Sequence, residues 1–588
     1  DIYKFLTDAN AELFDTPVIG AEVYKSIDGG ITWQKQNSNY LDGVYNSYGY
    51  YFGRIHVSPT NSDQIYIYGV PILKSDDSGK TFKRIGASNV HVDHHDLWIN
   101  PKNTNHLVLG NDGGVNISYD QGNNWIKLNQ PSVGQFYSIN VDNSNPYNVY
   151  GGLQDNGVWM AKNNSIESPS WYESGHNNWT KIMGGDGMKI QIDNRDNNTV
   201  YTGLQFGNYY RLDLSNNKRK SIKPKHKLGD SPLRFNWQTP ILISPHNQDI
   251  IYFGSNKLHR SFNKGDDWEE ISKDLTSGGI KGNVPYGTIT SFDESNFQFG
   301  KLIVGSDDGI VSISNDSGKT WKSINGNLPP DLWVSRVIFS KHEKNKIYLS
   351  LNGYRYNDFK PYIYLSNDNG DNWENISSNL PLSPVNVIRE DINRKEILYV
   401  GTDNGLFISF NSGKKWYPFE STLNRVAVHD LVIQNEKNDL LVGTHGRSIY
   451  KTNLDLFNHF MIEKNAEKPL IIFEINNLKY SNSWGKRSNY SDEIFKPRVK
   501  AIVYSDNSII YNYSVKDEMN NILNKGQLYF DKGFNNIEIF PIISESLNKN
   551  KLRRVGLSSL KSEDGNIYLS KGNYTLNING FSRKFSIK

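Results

Sequence analysis

Short apolar runs separated by polar, turn-forming clusters recur along most of this chain, and one stretch shows the pattern complete. From Asn89 to Trp125 the sequence reads NVHVDHHDLWINPKNTNHLVLGNDGGVNISYDQGNNW. DLWIN predicts a first strand, PKNTN a tight turn, HLVLG a second strand, and VNIS a third. NDGG between the last two supplies the positive-φ positions of a hairpin. Ser118 to Trp125 then turns the chain into a fourth strand, WIKL.

The same grammar returns to about residue 455. First-and-second-strand pairs are legible in RIHVSPTNSDQIYIYG, DLWINPKNTNHLVLG, SINVDNSNPYNVYGG, KIQIDNRDNNTVYTG and ILISPHNQDIIYFGS. They continue in ITSFDESNFQFGKLIVGS, VIFSKHEKNKIYLSL, VIREDINRKEILYVGT and DLVIQNEKNDLLVGT, and IYKFLTD adds a first unit that begins at its second strand. The turn S-x-D-x-G-x-T-W starts at Ser26, Ser75, Ser118, Ser261, Ser314, Ser366 and Ser409, at intervals of 43 to 53 residues save one of 143. That longer interval holds two units without the motif. Four strands per 40–50 residues predict propeller blades. In the motif the Asp accepts N–H groups of its own turn, the Gly takes a conformation other residues avoid, and the Trp packs beneath the hairpin. This is the Asp-box (bacterial neuraminidase) repeat, a signal of architecture rather than of activity.

The fold class is therefore all-β: an Asp-box β-propeller of about ten four-stranded units, or one complete propeller plus part of another, over residues 1–455. Residues 456–588 read as a connector, LFNHFMIEKNAEKPLIIFEINNL, and from about Pro497 an immunoglobulin-like β-sandwich. The first unit lacks a first strand and the last ends after its third, SIYKTN. An N-terminal part upstream of Asp1, or a separate polypeptide, is expected to complete the first unit. An open edge would invite such pairing.

Composition narrows the partners. With 588 residues, 13% aromatic, 49 Gly and no Cys, the chain excludes disulfides, thiolate metal sites and cysteine nucleophiles. A net charge of +3 without a basic run speaks against nucleic acid. No apolar run approaches the roughly 20 residues of a membrane helix.

Topology then selects a face. In a four-stranded blade, the link before strand one and the turn between strands two and three share one side. That side collects NVHVDHH, VGQFY, MGGDGM, RFNWQTP, WVSR and RVAVHD, with the turns GNDGG, GLQDNGVW, GSDDG, GTDNG and GTHGR. Asp-box turns fall on the other side.

HVDHHDLWIN…GNDGGVNISYDQGNNW, VGQFYSINV…GLQDNGVW, GGDGM, WVSRV, VIRED and VHDLVI…GTHGRSIY resemble a bacterial, Bacteroidota-type family of Asp-box propellers. The family is similar to sortilin-type propellers and is usually labelled glycosyl hydrolase. The likeness covers roughly residues 20 to 455. It implies a secreted or cell-surface protein and further blades upstream. In related two-propeller xyloglucanases the two catalytic Asp come from different propellers.

His91, Asp93 and His95 alternate, so on an extended segment they point to one side, as ligands of a divalent cation would. The competing reading is a hydrogen-bonded knot that pins a loop. Asp112, Asp307 and Asp403 recur in equivalent turns, which argues for turn chemistry. Asp155 and Asp186 are flanked less repetitively and, with Asp93, form the candidate catalytic set for a glycosidase, which needs two carboxylates. His91, His94, His95, Gln135, Trp159, Trp237, Arg336, His445 and Arg447 are candidate binding residues. Trp159, Tyr137, Tyr209 and Trp237 are candidate stacking platforms. A sialidase needs three arginines and a tyrosine nucleophile, and no such set is assembled here. The preferred reading is a secreted or surface module binding protein or glycan. The alternative is a glycoside hydrolase acting on polysaccharide through the paired Asp. The histidine cluster is expected to meet Asp155 or Asp186 and to hold raised pKa values beside them.

Overall fold

The computed structural model describes residues 20–46, 48–49, 51–128, 133–166, 178–279, 285–419, 423, 425–455, 457, 468–488, 491–544 and 561–588. The strand expected in IYKFLTD and connector residues 458–467 lie outside these.

Seven antiparallel sheets, spanning 136–183, 191–221, 241–270, 289–323, 333–375, 385–418 and 428–453, stand side by side with their first strands innermost. The seventh packs back on the first, so the ring is a closed seven-bladed β-propeller. Closure uses polar contacts far apart in sequence. Ser138 Oγ donates to Asp430 at 3.0 Å, Tyr147 Oη donates to Asp439 at 2.8 Å, and the Ser448 amide donates to the Gly134 carbonyl at 3.0 Å. The last blade therefore closes against Phe136–Val141 and not against the first unit of the chain.

Upstream of the ring, two more four-stranded sheets (54–84 and 94–128) and a two-stranded one (Tyr24–Lys25 with Gln34–Lys35) repeat the blade pattern. One apolar cluster joins Tyr66, Tyr68 and Ile85 of one sheet to Leu97, Leu109 and Trp125 of the next. Of the two architectures the repeat count allowed, the described residues adopt a complete propeller plus further blades outside it.

Second strands such as Leu302–Ser306 and Leu398–Thr402 are buried at every position, because a neighbouring blade covers each face. This is why they read as continuous apolar runs. Fourth strands such as Lys322–Ser323 are short, polar and exposed at the rim. Buried tyrosines of second strands reach the adjoining blade: Tyr252 Oη donates to Glu294 at 2.9 Å, and Tyr348 Oη to Glu390 at 3.1 Å.

The repeated S-x-D-x-G-x-T-W turn does more than close itself. Asp316 Oδ1 accepts the Thr320 amide at 2.9 Å, and Asp368 Oδ1 the Asn372 amide at 2.9 Å, as local turn chemistry requires. The tryptophan, however, donates from Nε1 to the preceding blade: Trp125 to Ile85 O at 2.7 Å, Trp373 to Ile324 O at 2.7 Å, Trp416 to Ile376 O at 2.8 Å. Gly370, at φ +90°, lies against Ile324, so a side chain there would strike the blade that Trp373 grips. The exception is the first copy, whose Trp33 donates to Gly30 O within its own turn and is 63% exposed. These turns also bond the first-to-second-strand turns of their own blades, as Gln121 N does to Asn105 O at 3.0 Å and Ser412 N to Glu396 O at 2.8 Å. They therefore lie on the face away from His91.

The C-terminal residues form two main antiparallel sheets, beside a short pairing of Arg487–Ser488 with Ser491–Ile494. Leu470–Ile475, Val499–Ser505 and Gly533–Ile539 make one; Ile509–Lys516, Ile522–Phe530, Gly572–Ile578 and Phe581–Ile587 make the other. Ile472, Val503, Phe530 and Leu576 share the core between them. LIIFEI, expected to be connector, is a strand because its apolar run pairs with VKAIVYS. Phe473, Tyr504 and Phe534 continue into a second cluster with Phe419, Leu431 and Phe457, which seats this module on the last two blades.

Candidate functional site

Two groups of functional side chains lie on the loop face, one where the upstream sheets meet the ring and one at the ring's mouth.

At the seam, His91 leads into the His94–Ile99 strand, and Asp112 sits in the turn between Leu107–Asn111 and Gly114–Ser118. Facing them, Asp155 occupies the turn after Asn148–Leu153 at φ +57°, and Asp186 precedes the Gln191–Ile192 strand. His91 Nε2 lies 3.0 Å from the Asp155 carbonyl oxygen, and Asn156 Nδ2 donates to the Asp112 carbonyl at 2.8 Å. The Asp155 amide donates to Asp186 Oδ1 at 2.8 Å, and Gln205 Nε2 to Asp186 Oδ2 at 2.6 Å. His95 Nε2 pairs with Asp112 Oδ1 at 2.5 Å. The knot thus contains Asp112, which turn chemistry alone had claimed.

Crowding raises these carboxyls. Burial, then Asp186 and Asp112, pushes Asp155 up to about 6. Asp93 and Asp186 are raised by burial, with Asp112 adding to each. Asp112 and Asp155 are close enough for the Asp112 carboxylate to oppose ionisation of Asp155. His94 goes against expectation: it is buried, its Nδ1 lacks a partner, and desolvation pushes its pKa down to about 4. Loss of hydration of the imidazolium outweighs the neighbouring carboxylate. Among the described residues no group of three His, Asp or Glu is arranged to hold a metal ion.

At the mouth, the seven first strands line a channel with a cavity of about 460 Å³ toward the loop face and one of about 350 Å³ toward the other. Lys189, Thr290 and Arg336 border both. Arg336 Nη2 donates to Asp430 Oδ1 at 3.0 Å, and Arg389 Nη2 reaches the same oxygen at 3.5 Å. Burial would raise Asp430, but Lys189, Arg336 and Arg389 outweigh it and hold the carboxyl at about 2. Burial beside Arg336 lowers Lys189 to about 7, with Asp430 opposing. His429 stacks on His445 at 4.4 Å, which stacks on Tyr137 at 5.6 Å. Burial lowers both histidines, His429 to about 3, so they are neutral at pH 7.

Of the sequence candidates, Arg336 and His445 belong to the mouth. Gln135 bridges to His445, and its carbonyl accepts the Gln154 amide at 3.0 Å, linking mouth and seam. Arg447 is exposed beyond His445, its amide donating to Thr444 Oγ1 at 3.0 Å. Trp237 is partly exposed, edge-on to Phe206 at 5.1 Å. Trp159 donates to Asn156 O at 2.6 Å beneath Lys181. Tyr209 is no platform: it is fully buried and donates to Thr239 O at 2.8 Å.

Sequence reading missed Lys189, Arg389, Asp430 and the loop Tyr354–Tyr356. The signal available was a charged residue inside an apolar first strand, as in MKIQI, VIRED and VHDLVI. In the loop, Tyr354, Tyr356 and Phe359 are exposed, Tyr356 Oη lies 3.4 Å from Tyr286 Oη, and Arg355 sits 4.0 Å over the Trp333 ring.

No family model matches the chain. The vacuolar protein sorting/targeting protein PEP1 of Saccharomyces cerevisiae is 30% identical over 99 residues, 17% of this chain and 5% of the yeast protein. Among solved structures, PorZ, a surface component of the type-IX secretion system of Porphyromonas gingivalis, aligns over 97% of this chain and 73% of its own, at 12% identity and TM-score 0.43. The GH74 enzyme of Niastella koreensis aligns over 88% of each chain, at 13% identity and TM-score 0.24. At these scores the propeller assignment stands on the sheets themselves. No described helix is long and apolar enough to cross a membrane.

Proposed function

We propose that this chain is an extracellular or cell-surface binding module and scaffold, with the loop face of the ring as the surface that meets a glycan or protein. The observation that carries the reading is the set of aromatics on that face: Tyr137, Trp333 and Tyr354 line a preformed cavity, and Trp237, Tyr286, Tyr356 and Phe359, all partly exposed, lie on neighbouring segments. Rigid aromatic faces beside convergent polar groups suit sugar rings and extended peptides alike. The repeated turns are Asp-boxes of the bacterial Asp-box type, the C-terminal two-sheet module, whose first strand is Leu470–Ile475, is an immunoglobulin-like sandwich, and neither takes part in the chemistry. A separate polypeptide packed on the first sheet belongs to the proposal, since Ile27 and Ile31 are 92% and 83% exposed beside Trp33.

The test is a glycan array probed with the full chain and with a Tyr354→Ala/Tyr356→Ala variant. Binding lost in the variant at unchanged melting temperature supports the reading. Equal binding by both would remove the aromatic face from it.

One observation favours hydrolysis instead. Asp155, at about 6, has the raised pKa of a general acid, with Asp93 and Asp186 beside it and a divalent cation as a candidate companion. Release of reducing ends from a bound polysaccharide, abolished by Asp155→Asn and Asp186→Asn, would establish the hydrolase.

A further inference from the structure

The channel is charged in a way the ring does not need. Closing seven blades requires apolar second strands and rim turns, yet Lys189, Arg336 and Arg389 converge on Asp430 at the axis. The Lys189 ammonium borders both cavities, and the one acid that favours its charge, Asp430, is already held by Arg336 and Arg389. Arg336 Nε is buried without a partner. Buried donors are normally satisfied, and a cluster left short of acceptors marks a place for one.

The charge count sets the valence. Facing the axis are four cations, Lys189, Arg336, Lys341 and Arg389, and three acids, Asp293, Glu390 and Asp430. His429 and His445 are neutral, and at the mouth Arg355 is offset by Asp403. With Lys189 protonated, one positive charge is surplus, which matches a monoanion. The mouth supplies the rest of the recognition: Tyr354 lines it with Trp333, one face of which carries Arg355, and Tyr137, which stacks on His445, and Gln238 and Ser335 add an amide and a hydroxyl. About 460 Å³ accommodates a sugar residue or two.

We infer that the ring's channel is a carboxylate pocket for an acidic glycan, Lys189 and Arg336 taking the uronate while the sugar ring lies against the aromatic mouth. This rests on the reading that the loop face binds ligands, and narrows it to hexuronic acid chains.

The experiment is calorimetric titration of the full chain with tetragalacturonate and with its methyl ester, which keeps the sugar and removes the charge. Sodium acetate and inorganic phosphate serve as free-anion arms. The acid is expected to bind at least about tenfold more tightly than the ester, the worth of one charge-assisted contact. Lys189→Met removes that preference, while Lys189→Arg retains it. Equal binding of acid and ester, or a preference that survives Lys189→Met, overturns the inference and leaves the loop face a binding surface. Acetate or phosphate binding as tightly as the acid shows a free-ion site and overturns the glycan assignment. Failure of both saccharides to bind overturns the inference too, and the array then decides the broader reading separately.

Discussion

Asp155→Asn is expected to stabilise the protein at neutral pH, which is unusual for a change at a buried carboxyl. Asp155 sits at φ +57°, a conformation that Asn tolerates well, so the backbone should not object. Its folded pKa, about 6, lies above the ordinary 3.8, so the folded state binds more protons than the unfolded between those values. Stability from this group is therefore fully present below pH ~4 and lost as pH rises through 6. The full shift corresponds to about 3 kcal/mol, and screening of a half-buried group reduces that to about 1–2 kcal/mol. Asn mimics the protonated acid and escapes the penalty. Tryptophan fluorescence, which reports mainly the propeller because Trp484 is the one tryptophan beyond Trp416, follows the unfolding. At pH 7.5 the variant should melt about 1–2 °C above wild type. At pH 4 the two should coincide. A variant less stable than wild type at pH 7.5, or an equal change at both pH values, would refute the electrostatic account of the seam.

Matched tryptophans test the staple. Trp373→Phe leaves the buried Ile324 carbonyl unpaired and should cost about 1–3 kcal/mol in urea unfolding, whereas Trp33→Phe should stay within about 0.5 kcal/mol. Asp430 has a folded pKa of about 2, so its stabilisation is present above pH ~4 and lost as pH falls through 2. Asp430→Asn should leave two arginines and a lysine uncompensated, lower stability by about 3–5 kcal/mol at pH 7, and flatten the acid limb of the melting profile. Anion affinity in the channel should fall by up to about tenfold per pH unit above 7 as Lys189 loses its proton. A flat profile from pH 6 to 9 would remove Lys189 from the contact.

How much of this was legible beforehand follows from the range of each interaction. The S-x-D-x-G-x-T-W turn is written in eight consecutive residues, so both it and its blade period show in the sequence. That its tryptophan grips the preceding blade does not show, because the Ile carbonyl partner lies 40 to 50 residues upstream and is a backbone atom. Ring closure was hidden for the same reason. The strands starting at His94 and at Phe136 look alike, and only contacts such as Ser138 with Asp430, 292 residues apart, tell a blade inside the ring from one outside. His91, Asp155 and Asp186 were brought together by topology alone. The protonation of His94 was not, since desolvation depends on packing that no neighbouring residue reveals. Arg336, Arg389 and Asp430 lie in three different first strands and Lys189 just before a fourth, and they become a site only when the ring superposes them.

Hydrogen–deuterium exchange of the full chain with and without tetragalacturonate tests the central claim most directly. The account predicts protection confined to the loop face around the mouth, in 236–238, 333–336 and 352–359, with none in the opposite-face turns near 342–345 and 393–396. Protection of those opposite turns, or of the C-terminal sheets alone, would contradict it.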